Sequence, residues 1–165
     1  MEVTNSKVFP CMGLNMEINT KNGQLFCAIP ILNIIVKNIE KACAKHSKVL
    51  GVFIQLHMKE YSPNNEQVSI LINETRKYVK RYYNSSFRYV WVREQEKAKK
   101  QHYHVMILVD GNKVYDSRKI VNWINIYWKR KFDGHTYRLS NPYYRFKREE
   151  KEEIKECLYR ASYLA

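Results

Sequence analysis

Two histidines one residue apart, His102 and His104, lie in the run HYHVMILVD, whose β-branched and aromatic content reads as a strand. Side chains alternate faces along a strand. Both imidazoles therefore project to one side, close enough to share an ion, while Tyr103, Val105 and Ile107 face the other way. The preceding run FRYVWVRE ends on Glu94, and the basic connector EKAKKQ lies between the two. An antiparallel hairpin returns Glu94 beside His102 as a third ligand; Glu96, further into the connector, competes for that role. Two imidazoles and a carboxylate leave coordination positions open, as a catalytic ion requires, and mixed nitrogen and oxygen ligation suits Mn²⁺ or Mg²⁺. Taken alone, an HxH in a strand is equally an ordinary pair of polar side chains.

The second set of reactive groups is in LYRASYLA, where Tyr159 and Tyr163 stand at helical i and i+4 positions and are expected to share one face. A phenol titrates near about 10. It is a weak nucleophile until its target is polarised, which a metal ion does for a phosphate. Amphipathic packing is the competing reading, since the chain has 13 tyrosines. His57 and Gln55 share a face with Phe53 on the run VLGVFIQLHM and are candidates to line the same site, against a satisfied rim or core role for His57.

These residues need elements to hold them. The first stretch, residues 1–29, reads as an extended arm or hairpin turning at Asn22-Gly23. From Pro30, Leu32, Ile35, Val36, Ile39, Ala42 and Cys43 recur at helical spacing. VLGVFIQLHM predicts a central strand. A helix follows over about 65–83, with Val68, Leu71, Ile72, Thr75, Tyr78 and Val79 on one stripe. After the FRYVWVRE and HYHVMILVD hairpin, Asp116 or Ser117 caps a helix to about Phe132, with Ile120, Trp123, Ile124 and Tyr127 inward. One further strand around TYRLSNPYYRF and a last helix from about Glu149 to the chain end, acidic in its first turn, complete the order. A hairpin with helices between the other strands predicts one α+β domain over residues 1–165 with a mainly antiparallel sheet.

Charge points to the partner. The 165 residues carry 29 Lys+Arg against 16 Asp+Glu, a net charge of +13, alongside the many tyrosines. Cations neutralise phosphates and rings stack on bases, so nucleic acid fits, without distinguishing DNA from RNA. Lys97, Lys99 and Lys100 in the connector, with Arg118, Lys119, Lys129, Arg130 and Lys131 near the ends of the next helix, are candidates to grip a phosphate backbone; solvated surface charge is the competing reading for each. The four cysteines are scattered without a CxxC pair, which predicts free thiols. The longest apolar run, about 26–36, is broken by Pro30 and Asn33 and falls short of the ~20 residues of a membrane span. No signal peptide is apparent, so a cytoplasmic protein is expected.

A strand HxH, an upstream acid and a downstream YxxxY, in that order in a basic domain, resemble the HUH endonuclease superfamily, and within it replication initiators of the filamentous-phage gene II type and related prophage proteins. The likeness runs from about His46 to Ala165, through HSKVLGVFIQLHM, WVREQEKAKKQHYHVMILVD and LYRASYLA. It implies a ferredoxin-like or RRM-like sheet with helices on one face and the metal site on the other. It also implies His102 and His104 as ligands, Glu94 as third ligand, and Tyr163 and Tyr159 as nucleophiles, with SYLA around Tyr163 the better match. Members usually carry a lysine shortly after that tyrosine; this sequence has none before Ala165. The implied activity is metal-dependent nicking and joining of single-stranded origin DNA through a 5′-phosphotyrosine, initiating rolling-circle replication of a phage, prophage or plasmid. No small-molecule cofactor is expected. No Walker loop is present, so a host helicase, with a polymerase, is the expected partner.

Two other readings compete. One is a related HUH transposase or relaxase, although relaxases typically place the tyrosine ahead of the histidines. The other is a non-catalytic basic module that binds nucleic acid with no metal requirement and no covalent product.

Overall fold

Met12 and Gly13, both in the left-handed region (φ 54° and 74°), close a tight two-residue turn. They join β2 (Val8–Cys11) to β3 (Leu14–Glu17), with β1 (Val3–Thr4) paired to β4 (Cys27–Ala28) beside them. Residues 1–94 and 100–165 are described by a computed structural model. The hairpin expected at Asn22-Gly23 therefore turns earlier in the chain. Asn22 and Gly23 instead belong to the bend between β3 and β4, where Gly23 N–H donates to the Thr20 carbonyl. The segment is not a free arm either: Cys11, Met16, Ile18 and Cys27 are buried in the main core.

Helix α1 (Ile29–Lys45) carries Pro30 in its first turn and buries the six residues its spacing predicted. It leads into β5 (Lys48–His57), then α2 (Glu66–Tyr83), β6 (Phe87–Glu94), β7 (His102–Asp110) and α3 (Arg118–Phe132). The last elements are β8 (His135–Tyr137), β9 (Tyr143–Lys147) and α4 (Lys151–Ala161), with a 3-10 turn over Ser162–Leu164. The sheet order is β6-β7-β5-β8, all antiparallel, with β9 on the same edge of β5 as β8. From β5 onward this is the split βαβ repeat of the ferredoxin-like α+β fold. The single strand expected around TYRLSNPYYRF is thus two. Ser140, Asn141 and Pro142 form the break, because Pro142 has no N–H for the ladder; its carbonyl accepts from Phe53 N–H.

Strand alternation sorts the two faces. Leu50, Val52, Ile54, Leu56, Tyr103, Val105 and Ile107 pack beneath α2 and α3. Val49, Phe53, Val90, Met106 and Leu108 face the other way, under α1, α4 and the N-terminal hairpin. Helices therefore lie on both faces rather than one. Towards the His57 end of β5, the apolar side chains of this second face give way to Gln55, His57, His102 and His104.

Two helices differ in detail from expectation. In α3 the buried residues are Ile120, Ile124 and Trp128, while Trp123 and Tyr127 are half-buried. Trp128 Nε1–H donates to the His57 carbonyl at 3.0 Å and so pins the end of β5. Asp116, not Ser117, receives the Arg118 N–H at the helix start. Helix α4 stops at Ala161, and the 3-10 turn docks onto the N-terminal segment through Asn19 N–H to Ser162 Oγ and Ala28 N–H to the Ala165 carbonyl. All four cysteines are free and buried. Among the described residues, no helix is long and apolar enough to cross a membrane.

Candidate metal centre

The β6–β7 register places Glu94 directly opposite His102, with Val92 opposite His104. Glu94 Oε2 lies 3.0 Å from His102 Nε2 and 2.7 Å from His104 Nε2. One donor atom from each of the three residues falls within 4.8 Å of the others. Bonds of about 2.0–2.2 Å at tetrahedral or octahedral angles set neighbouring donor atoms roughly 3–3.5 Å apart, so small side-chain adjustments suffice to take an ion. Glu96, the competing carboxylate, lies outside the described residues, as do Lys97 and Lys99.

Electrostatics favours ligand forms. The hydrogen bond from His104, ahead of the opposing cost of burial, holds the Glu94 carboxyl below its ordinary range, so it is ionised at neutral pH. Burial pushes the His104 imidazole below its ordinary value, against the pull of Glu94, so this ring is neutral. Its Nδ1 is 3.1 Å from the Gln55 carboxamide. Gln55 can donate to Nδ1 while Nε2–H is bonded to Glu94. Turned over, it can accept Nδ1–H and free Nε2 for an ion. A carboxamide serves either tautomer, and such a partner orients a metal-bound histidine.

The row continues across the sheet. His57 pairs with His102 on one side and with His135 on the other. The rings stack in sequence, His102 to His57 at 4.9 Å and His57 to His135 at 5.1 Å, with Tyr137 4.4 Å from His57. Burial, then repulsion from His102, His135 and His104, hold His57 down at about 4. Its Nε2 is buried and has no hydrogen-bond partner among the described residues, so His57 stands there as the middle ring of a polar row rather than as a satisfied rim histidine.

The tyrosines part company. The Tyr163 ring packs edge-on against His104, 5.5 Å between centroids, and is 55% exposed. Tyr159 turns to the N-terminal segment, where its hydroxyl donates to Asn19 Oδ1 at 3.3 Å. The shared face expected of an i, i+4 pair fails because the α-helix ends between them and the tighter 3-10 turn carries Tyr163. Tyr163, His104 and Gln55 line a cleft of about 290 Å³ with Phe53, Leu139 and Arg160. Arg160 is held with its guanidinium 6.0 Å from the Phe53 ring centroid.

Arg160, His135 and Tyr137 join this region without having been expected from the sequence. His135 and Tyr137 repeat the i, i+2 signal of the HxH, but on a strand of three residues. Arg160 stands three residues before Tyr163 and lines the same cleft. Of the other candidate cations, Lys100 is exposed just before β7, whereas Arg118, Lys119, Lys129, Arg130 and Lys131 belong to α3, on the opposite side of the sheet from Tyr163.

Fold and site together define a ferredoxin-like α+β domain with a two-histidine, one-glutamate cluster beside a C-terminal tyrosine. The chain belongs to the YagK/YfjJ C-terminal domain family, whose model matches residues 12–165. No curated protein and no solved structure matches it.

Proposed function

We propose that this domain nicks and rejoins single-stranded DNA through Tyr163, initiating rolling-circle replication of a phage, prophage or plasmid in the cytoplasm of a bacterial host. The observation that carries this reading is the Tyr163 ring set against His104, which shares Glu94 with His102. Mn²⁺ or Mg²⁺ held by Glu94, His102 and His104 would supply charge withdrawal from the scissile phosphate. Gln55 orients His104, and Arg160, in the same cleft as Tyr163, offers a planar guanidinium to phosphate oxygens. The Tyr163 phenolic oxygen bonds to phosphorus as the bond from phosphorus to the 3′ oxygen breaks. The phenol gives up its proton and the 3′ oxygen takes one up, leaving a 5′-phosphotyrosine and a free 3′-hydroxyl. One phosphodiester replaces another, so rejoining needs no ATP. Tyr159, committed to Asn19, is not part of this attack. A host helicase and polymerase would open the duplex and extend the 3′ end.

The test incubates the protein with Mn²⁺ and labelled single strands tiled from the DNA flanking its own gene, then looks for a denaturation-resistant adduct. Tyr163→Phe should abolish it, Tyr159→Phe should retain it, and His102→Ala with His104→Ala should remove it while leaving most backbone affinity. An adduct that survives Tyr163→Phe, or cutting that survives loss of both histidines, refutes the assignment.

A further inference from the structure

On the other side of the sheet, an aromatic run crosses from α2 to α3. Tyr82 packs on Tyr78 at 4.7 Å, Tyr78 stacks on Trp123 at 4.9 Å with planes 22° apart, and Trp123 stacks on Tyr127 at 5.1 Å with planes 20° apart. None of the four is fully buried, and Tyr82 is 66% exposed. Tyr78, Trp123 and Tyr127 rest on the edge of this core, only partly buried, while the fully buried contact is made by other residues. Val68, Leu71, Ile72 and Val79 supply that contact for α2, and Ile120, Ile124 and Trp128 for α3. At the α3 end, Trp123, Tyr127 and the exposed Ile126 floor a shallow cleft of about 340 Å³ edged by Arg130 and Lys131. At the α2 end, the Arg81 guanidinium lies 5.9 Å from the Tyr82 ring centroid.

An apolar aromatic floor with cations at its rim matches a nucleotide, whose base stacks on rings while its phosphate meets the cations. In a chain of net charge +13, this surface would repel a basic protein partner and a second copy of itself. We propose that the α2–α3 face is a second nucleic-acid surface, a single-strand track on the side of the sheet opposite Tyr163. It stands whether or not Tyr163 cuts DNA.

The test uses the full chain carrying Tyr163→Phe, in EDTA, so that neither cutting nor a metal contributes. The probe is a labelled thymidine oligonucleotide of about 16 nucleotides, the upper end of usual single-strand site sizes. Arg130→Glu with Lys131→Glu, and separately Tyr82→Ala with Tyr127→Ala, should each weaken binding about ten-fold or more. The oligonucleotide should quench tryptophan fluorescence, and Trp123→Phe, which keeps a ring, should remove the quench while holding affinity within about two-fold. Arg130 and Lys131 are exposed, so the charge-reversed variant leaves the core intact. Unchanged affinity in both double variants, or a quench that persists without Trp123, overturns the proposal. So does a concentration-dependent dimer that the charge reversal dissolves with oligonucleotide affinity unchanged.

Discussion

At the residue scale, what distinguishes the site is support around the three ligand candidates. Gln55 touches His104 on the nitrogen that faces away from Glu94. Removing such a partner typically costs about 10–100-fold in metal affinity. Titrating Mn²⁺ calorimetrically into Gln55→Ala should show a loss in that range, with the fold unchanged; undiminished affinity would mean that Gln55 does not orient a ligand. Arg160 makes a different prediction. If its guanidinium meets phosphate in the Tyr163 cleft, Arg160→Ala should slow adduct formation by ~100-fold, as loss of one charge-stabilising donor does, while leaving Mn²⁺ affinity intact. Glu94, His102 and His104 were legible in the sequence because strand alternation and a hairpin alone bring them together. Arg160 and His135 were not, since their places depend on where α4 ends and on which edge of β5 a three-residue strand joins.

At the element scale, the end of β5 is fastened from below. Gly134 lies where an added Cβ would overlap the Trp128 indole and come within 2.8 Å of the His57 carbonyl oxygen. Gly134→Ala should therefore displace Trp128 from its hydrogen bond to His57 and destabilise the protein by about 1–3 kcal/mol, read as a shift in denaturant midpoint. A melting curve identical to wild type would show that α3 does not fasten this strand. The long elements were readable because their apolar periods are long: α1, α2, β6 and β7 fall within a residue or two of expectation. The departures sit where local signals compete. Asn22-Gly23 is a good turn pair, yet burying Met16 and Ile18 fixes the hairpin at Met12-Gly13. The phase of α3 shifts because Trp128, not Trp123, fills the space beneath Gly134.

At the scale of the whole molecule, acid should weaken the fold before carboxylates are protonated. Burial lowers His46 from its ordinary 6.5, outweighing the pull of Asp110 at 3.5 Å. The folded ring resists a proton that the unfolded chain accepts, so the unfolded state binds more protons and stability falls as pH drops below about 6.5. His57 and His104, also lowered, add slope of the same sign. Denaturant midpoints should fall between pH 7 and pH 5, and His46→Gln should flatten that fall without abolishing it; a midpoint that rises on acidification contradicts the sign. The two-sided character of the domain also belongs to this scale, with Glu94, His102, His104 and Tyr163 on one face and the aromatic run on the other. The measurement that bears most directly on the nicking account is mass-spectrometric mapping of the protein after reaction with Mn²⁺ and single-stranded DNA. Attack by Tyr163 should leave a nucleotide-modified C-terminal peptide with the added mass on Tyr163 and none on Tyr159. Modification of Tyr159 instead, or no covalent nucleotide on any tyrosine with a DNA that is cut, contradicts it.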